Sequence, residues 1–295
     1  MNTQREQLIQ TWLQATLQTD QFEINFLAGD ASFRRYARIK LQNKTYMLMD
    51  APPEKEDCVP FVEIDEFFDK NGVRVPHIVA KDLSLGLLLL EDFGDVVLST
   101  LLNDDTVDQY YAQSFKQLID LQQIDAHQQL PAYSYEKLMT EMRLLTEWML
   151  PSLEIQPTEQ QLETIEQAFD FLAIEAINQP QVIVHRDYHS RNLMKIENEQ
   201  VLGVIDFQDA VIGADTYDLI SITRDAYVQW NAVRVYGWFE VFYNLLPATA
   251  KENRSFEQFK RDADFMAIQR HLKILGIFVC VFERDGKCGF LKDLI

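Results

Sequence analysis

Residues 183–196 read IVHRDYHSRNLMKI. His185, Arg186, Asp187, His189 and Asn192 fall in one short polar loop between two apolar runs. Three readings compete. On a strand, the alternating His185, Asp187 and His189 would share a face and could hold a metal. Alternatively Asp187 is a base, and Asn192, five residues on, is a ligand for Mg2+. The plain reading is a loop whose side chains bond its own backbone. The metal-hydrolase reading needs more ligands than the chain offers. The other three histidines, His77, His127 and His271, fall in no ligand-like cluster, and no carboxylates stand at dinuclear spacing.

The second reading gains support downstream. VLGVIDF, residues 201–207, is an apolar strand ending at Asp206. Asp187, Asn192, a hairpin and then Asp206 is the order of the H-R-D…N and D-F-G motifs of protein kinases. Phosphoryl transfer asks for such parts: a carboxylate to orient the acceptor hydroxyl and take its proton, and hard oxygen ligands to hold Mg2+ against the phosphates. Asp187 suits the first role, Asn192 and Asp206 the second. Two features depart from the protein-kinase pattern. IDFQD replaces D-F-G, and no A-P-E segment follows.

Periodicity supplies the surroundings. A helix is predicted over 3–18, opened by a capping box at Thr3–Glu6. FEINFLA, RRYARIKL and TYMLMD alternate and are separated by turns, which predicts a three-strand antiparallel meander. A helix carrying Phe61, Ile64, Phe67 and Phe68 ends near Asn71-Gly72, and LLLLEDFGD is a buried strand leaving into a turn. Helices are predicted over 106–125, 135–149, 158–177, 217–230, 233–245 and 256–283. LMKI and VLGVID form two short strands. The domain seam falls at Glu91–Asp95, giving an N-terminal lobe at 1–94 and a C-terminal lobe at 95–295.

His185-x-Asp187-x-His189-x-x-Asn192, followed by I-D-F at 205–207 and Y-D-L at 217–219, resembles the aminoglycoside phosphotransferase and choline kinase superfamily. That resemblance implies an α+β, two-lobed, protein-kinase-like fold. It implies a small nucleotide-binding N-lobe of antiparallel sheet plus helix, and a larger, mainly helical C-lobe for catalysis and substrate binding. ATP and Mg2+ are the implied co-substrate and metal, and His185 and Asp218 the implied supports of the catalytic loop. GDASFRRYARI, LMDAPPEKEDC, LLLEDFGD and GVIDFQDAVIGADTYDLIS look like a narrower group: bacterial kinases that phosphorylate the anomeric hydroxyl of N-acetylmuramate and N-acetylglucosamine in peptidoglycan recycling. The acceptor sugar is implied by that resemblance alone.

Further site residues follow from these placements. AGDASFRRY, residues 28–36, stands where a kinase carries its phosphate-covering hairpin, so Gly29, Ser32 and Phe33 are expected at the phosphates. The third strand ends in Met49-Asp50 where kinases place a phosphate-clamping lysine. Arg34, Arg35 and Lys55 are the nearby cations, and Arg34 is the expected replacement. Glu91 and Phe93 flank a hinge whose backbone would hold adenine. On the acceptor side, Asp209 and Arg224 are candidate substrate ligands. Arg224 is placed to meet a carboxylate or, equally, to pair internally with Asp218 or Asp225. Tyr227 and Trp230 would stack on a sugar or fill the core.

Composition bounds the rest. The 295-residue chain is 47% hydrophobic, enough to bury a large core. A net charge of −19 disfavours nucleic acid and anionic membranes; a small-molecule sugar partner is what the resemblance implies. Three cysteines without a CxxC pair argue against a disulfide framework and for the cytoplasm. The polar N-terminus lacks a signal-peptide core, and the apolar run Leu87–Leu90 is too short to cross a bilayer. Two rivals remain: an aminoglycoside or amino-alcohol kinase, and a nucleotide-binding pseudokinase. The second has little use for Asp187, Asn192 and Asp206 together.

Overall fold

The structure is a computed structural model that describes residues 3–27 and 34–285. It divides into two compact units, Met1–Asp95 and Val96–Ile295.

The first unit is built on an antiparallel sheet. Strands β1 (Glu23–Phe26), β2 (Arg35–Leu41), β3 (Lys44–Asp50), β4 (Ile78–Asp82) and β5 (Leu87–Glu91) lie in the order β1-β2-β3-β5-β4. Side chains alternate across a strand, so Ala37, Ile39, Leu48, Leu87 and Leu89 share one face. Helix α1 (Thr3–Leu17) covers that face with Ile9 and Leu13. Met49 points the other way and is fully buried, so the position expected of a lysine is filled by core. Asp50, beside it, is also fully buried and is neutralised by two arginines. Arg5 donates to it through Nε (2.9 Å) and Nη2 (2.7 Å), and Arg35 through Nε (2.9 Å). Helix α2 (Val59–Lys70) buries Phe61, Val62, Asp65 and Phe68. Strand β4 was not foreseen. Its alternation is broken by a register shift between Ile78 and Ala80.

The second unit is mainly helical. Helices α3 (Val107–Gln122) and α4 (Tyr135–Leu144) come first. α4 runs through one π turn, Leu145–Met149, into the short α5 (Leu150–Ser152), so the single helix expected over 135–149 is interrupted. Helix α6 (Glu159–Ile177) starts at the Thr158–Gln161 capping box, with both reciprocal bonds present. Two small antiparallel pairs follow: β6 (Gln181–Val184) with β9 (Val211–Ala214), and β7 (Leu193–Lys195) with β8 (Leu202–Val204). Helices α7 (Tyr217–Thr223), α8 (Ala232–Leu245), α9 (Ala248–Lys251) and α10 (Phe256–Asp285) complete the unit.

Helix α10 organises this unit by packing on α4, α6, α7 and α8. It is long and apolar enough to cross a membrane, but its buried face meets these four helices, as in the core helix of a globular unit. Gly276 permits the closest approach. A Cβ there would lie 2.5 Å from the Leu144 carbonyl carbon and 2.7 Å from the Leu145 nitrogen, where α4 passes into its π turn. Tyr111, Phe115, Trp238 and Phe242 form an aromatic cluster joining α3 to α8. Burying such a ring contributes about 1.5–3 kcal/mol.

Candidate active site

Strand β6 ends at Val184, and the loop 185–192 follows without strand geometry. His185, Asp187 and His189 therefore do not share a strand face. Among the described residues, no group of three metal-ligating side chains forms.

Asp218, in the first turn of α7, is fully buried beneath the loop. It accepts the backbone N–H groups of His185 (2.6 Å) and Arg186 (3.1 Å). Arg186 is thereby held at φ 74°, a left-handed conformation costly for a non-glycine residue. Burial pushes the Asp218 carboxyl up to about 7, against the pull of those two N–H donors. The buried His185 ring bridges the motif. Its Nδ1 accepts the Asp187 N–H at 3.3 Å and its Nε2 donates to the Ile205 carbonyl at 3.0 Å. Those partners fit one neutral tautomer, and burial keeps the imidazole pKa below its usual value.

Asn192 joins the loop to the β7–β8 hairpin. Its Nδ2 donates to the Asp187 carbonyl (3.0 Å) and to Asp206 Oδ2 (3.2 Å), while the Ile205 N–H reaches the Asn192 carbonyl at 3.1 Å. Asp206 stands just past β8 at φ 64°, exposed, with Gln208 Nε2 on its Oδ1 at 2.9 Å. The carboxylate of Asp206 and the amide oxygen of Asn192 are two hard donors on adjoining segments. That set is too small to cage an ion alone. It fits Mg2+, which keeps several waters and takes its remaining oxygens from phosphates.

The surroundings of Asp187 were not legible in the loop. Burial raises its pKa, but Lys273, His189, Arg270 and His185 outweigh that, and the carboxyl lies below its usual value. Burial holds both imidazoles neutral. The lasting positive charge facing Asp187 is therefore that of Lys273 and Arg270, both on α10. Lys273 is buried, and its Nζ donates to the Tyr217 hydroxyl at 3.1 Å. Burial alone would lower its pKa; Tyr217, Glu141 and Asp187 raise it instead. Glu141 of α4 is the shared anion. It lies 2.5 Å from Arg186 Nη2 and 3.6 Å from Lys273 Nζ, and accepts from the Tyr133 hydroxyl.

The segment after α7 is also tied to the loop. A helix was expected over 217–230, but α7 stops at Thr223. Asp225 accepts the Ser190 N–H (2.9 Å) and hydroxyl (2.5 Å), and its other oxygen takes the Tyr227 N–H (3.0 Å). Those bonds compete with continued helix. Tyr227 meets the His189 ring at 5.1 Å and lies under Arg191 at 3.5 Å. Beside it opens a cavity of about 540 Å³ lined by Arg224, Asp225, Tyr227, Trp230, His271 and Leu275, among others. Arg224 lines the cavity but pairs with Asp264 at 2.9 Å, so the internal partner is neither Asp218 nor Asp225. Asp209 is exposed, with its Oδ1 3.7 Å from Arg186 Nη1.

In the first unit, Gly29, Ser32 and Phe33 lie outside the described residues. Arg34 precedes β2 rather than opening it, and its Nε meets Glu56 at 2.6 Å. Glu91, at the end of β5, is held by Arg74 through two bonds of 2.6 and 2.7 Å, which lower its pKa. Phe93 lies under the same guanidinium, 4.6 Å from it.

The family model described as the phosphotransferase enzyme family (APH) matches residues 23–252. The chain belongs to this family. This phosphotransferase is 39% identical over 269 residues to a Pseudomonas putida protein named N-acetylmuramate/N-acetylglucosamine kinase, covering 90% of this chain and 79% of that protein. A Neisseria meningitidis protein of the same name is 34% identical over 298 residues, covering 99% of this chain and 88% of its relative. The solved structure of Plasmodium vivax ethanolamine kinase matches with a TM-score of 0.69 over 93% of this chain and 80% of its own. At 14% identity, that likeness shows a shared fold. The phosphotransferase thus has the α+β, kinase-like fold that its loop motif implied.

Proposed function

We propose that this phosphotransferase moves the terminal phosphoryl group of ATP to the anomeric hydroxyl of N-acetylmuramate or N-acetylglucosamine. The observation that carries the acceptor is the 39% identity, over 90% of the chain, to a protein named for those sugars. Asp187 acts as the base. It is half-buried, faces two cations and stays ionised, so it can accept the proton of a sugar hydroxyl as the bond to phosphorus forms. Asn192 and Asp206 would hold Mg2+, which when bound neutralises charge on the phosphates. His185 and Asp218 fix the loop that presents Asp187. The cavity beside Tyr227 and Trp230 supplies aromatic faces on which a pyranose can rest. The N-terminal unit takes the nucleotide, with Glu91–Phe93 as the hinge and Arg34 as the phosphate cation. ATP supply and unpaired Cys58 and Cys280 suit the cytoplasm.

The test is a phosphorylation screen of N-acetylmuramate, N-acetylglucosamine, aminoglycosides and choline with Mg-ATP. Phosphorus NMR reads the product position. A sugar 1-phosphate is expected. Phosphate on C6, or on an aminoglycoside alone, would overturn the acceptor assignment.

A further inference from the structure

Arg270 is 3% exposed, and no described residue gives it a hydrogen bond or an ion pair. Its Nη1 is fully enclosed without a partner. Such a guanidinium is unusual, because a buried charge is costly unless something compensates it. Other buried arginines of this unit are compensated: Arg186 by Glu141, and Arg254 by Asp215 and Asp262. Arg270 stands one helical turn before Lys273, on the face of α10 from which Lys273 reaches Tyr217 and Glu141. Its charge acts on Asp187, His189 and Asp218. His189, in that loop, has its own buried orphan, Nδ1. Next to Asp187, then, stand a cation and a ring nitrogen without hydrogen-bond partners among the described residues, and an oxygen-bearing anion would accept from both, from His189 as its Nδ1–H tautomer.

We propose that Arg270 is the specificity residue for an acidic acceptor and pairs with the carboxylate of the lactyl ether on N-acetylmuramate. This rests on the acceptor reading given above. Arg224, the cation that sequence reasoning offered for this task or, equally, for an internal pair, has Asp264 as its carboxylate partner. Asp187 and Asp218 act on Arg270 through space, but no described carboxylate bonds its guanidinium, so a ligand carboxylate can fill that place. A neutral sugar would leave water in that place, so both sugars can react while only one gains the ion pair. Two anions could meet a cation near Asp187: the sugar carboxylate, or the phosphoryl group in transfer. The two substrates separate these, because both receive the same phosphoryl group and only one carries a carboxylate.

The experiment compares kcat/KM for N-acetylmuramate, its methyl ester and N-acetylglucosamine, in the full chain and in Arg270→Gln and Arg270→Lys. Arg270→Gln should lower kcat/KM for N-acetylmuramate roughly ten- to a hundredfold, the loss of one charged hydrogen-bonded contact. Whatever is lost with the charge facing Asp187 falls on both sugars alike, so N-acetylglucosamine should lose at least about tenfold less than N-acetylmuramate, and Arg270→Lys should recover part of the difference. Equal losses on both sugars would overturn the proposal, placing Arg270 with Asp187 or the phosphates instead. No loss on either would overturn it too. Should Arg270→Gln not fold, the unaltered protein decides: the ester should fall below the acid by the same factor, and an ester as good as the acid refutes the ion pair. Failure of the unaltered protein to phosphorylate either sugar would instead reject the acceptor reading, and this inference with it.

Discussion

Replacing Glu141 with Gln probes the charge balance beneath the catalytic loop. Glu141, Arg186 and Lys273 are each less than a tenth exposed, and Glu141 is the anion shared by the two cations. The amide keeps the shape and can still accept from the Tyr133 hydroxyl, so the change removes mainly charge. Breaking a buried pair by removing one partner costs about 3–5 kcal/mol. The retained hydrogen bond puts this substitution near the lower end, about 3 kcal/mol. For a unit of this size, that is a fall of roughly 6–12 °C in Tm. Thermal unfolding followed by circular dichroism measures it, and steady-state turnover should fall in parallel because Arg186 precedes Asp187. Adding Lys273→Met to Glu141→Gln removes the stranded ammonium and should restore about 1–2 kcal/mol, a coupling that a double-mutant cycle reads directly. If Glu141→Gln unfolds within about 1 kcal/mol of the parent, or the two changes simply add, Glu141 is not the compensating anion.

Three other outcomes are expected. Asp187→Asn should lower turnover by roughly a thousandfold while calorimetry shows Mg-ATP binding intact; turnover within a few-fold of the parent removes Asp187 from the base role. Asp206→Ala should abolish Mg-dependent nucleotide binding and turnover together, and unchanged Mg-ATP affinity would take the metal away from this strand end. Asp65, buried on α2, has its carboxyl pushed up to about 7, first by burial and then by Asp69 and Glu66, against Lys81. A carboxyl raised on folding contributes most stability below the unfolded pKa and loses it as pH rises through about 7. Asp65→Asn should therefore flatten stability between pH 4 and 8 and gain up to about 4 kcal/mol at pH 8; parallel curves for parent and variant would refute this.

The loop motif was legible because its information is local. Asp187, Asn192 and Asp206 are fixed by short spacings and one hairpin, and the structure brings them together through the Asn192 amide. Asp218 was reached through the Y-D-L resemblance, and the bonds it makes to residues 185 and 186 are long-range. What stayed hidden depends on contacts between distant elements. α7 was drawn too long because 224–230 keeps helical spacing, while the Asp225 bond to Ser190 that ends it spans 35 residues. Glu141 drew no reading, since nothing nearby in sequence reveals its pairing with Arg186, 45 residues on. One signal was available. In FMAIQRHLKILGIFVCVF, residues 265–282, the basic residues Arg270 and Lys273 stand three apart within an apolar stretch, the mark of charges facing inward.

The close passage of α10 over α4 at Gly276 also limits how this site can change through evolution. Near one end, the helix is keyed by Asp262, gripped by Arg254; near the other, by a crossing that admits no side chain. Arg270 and Lys273 lie between these two keys, so their azimuth is set from both sides. Inserting or deleting one residue in that interval would turn them about 100° away from Asp187. Acceptor preference on this scaffold can therefore drift by exchange of side chains along α10, while changes of length there are closed to it.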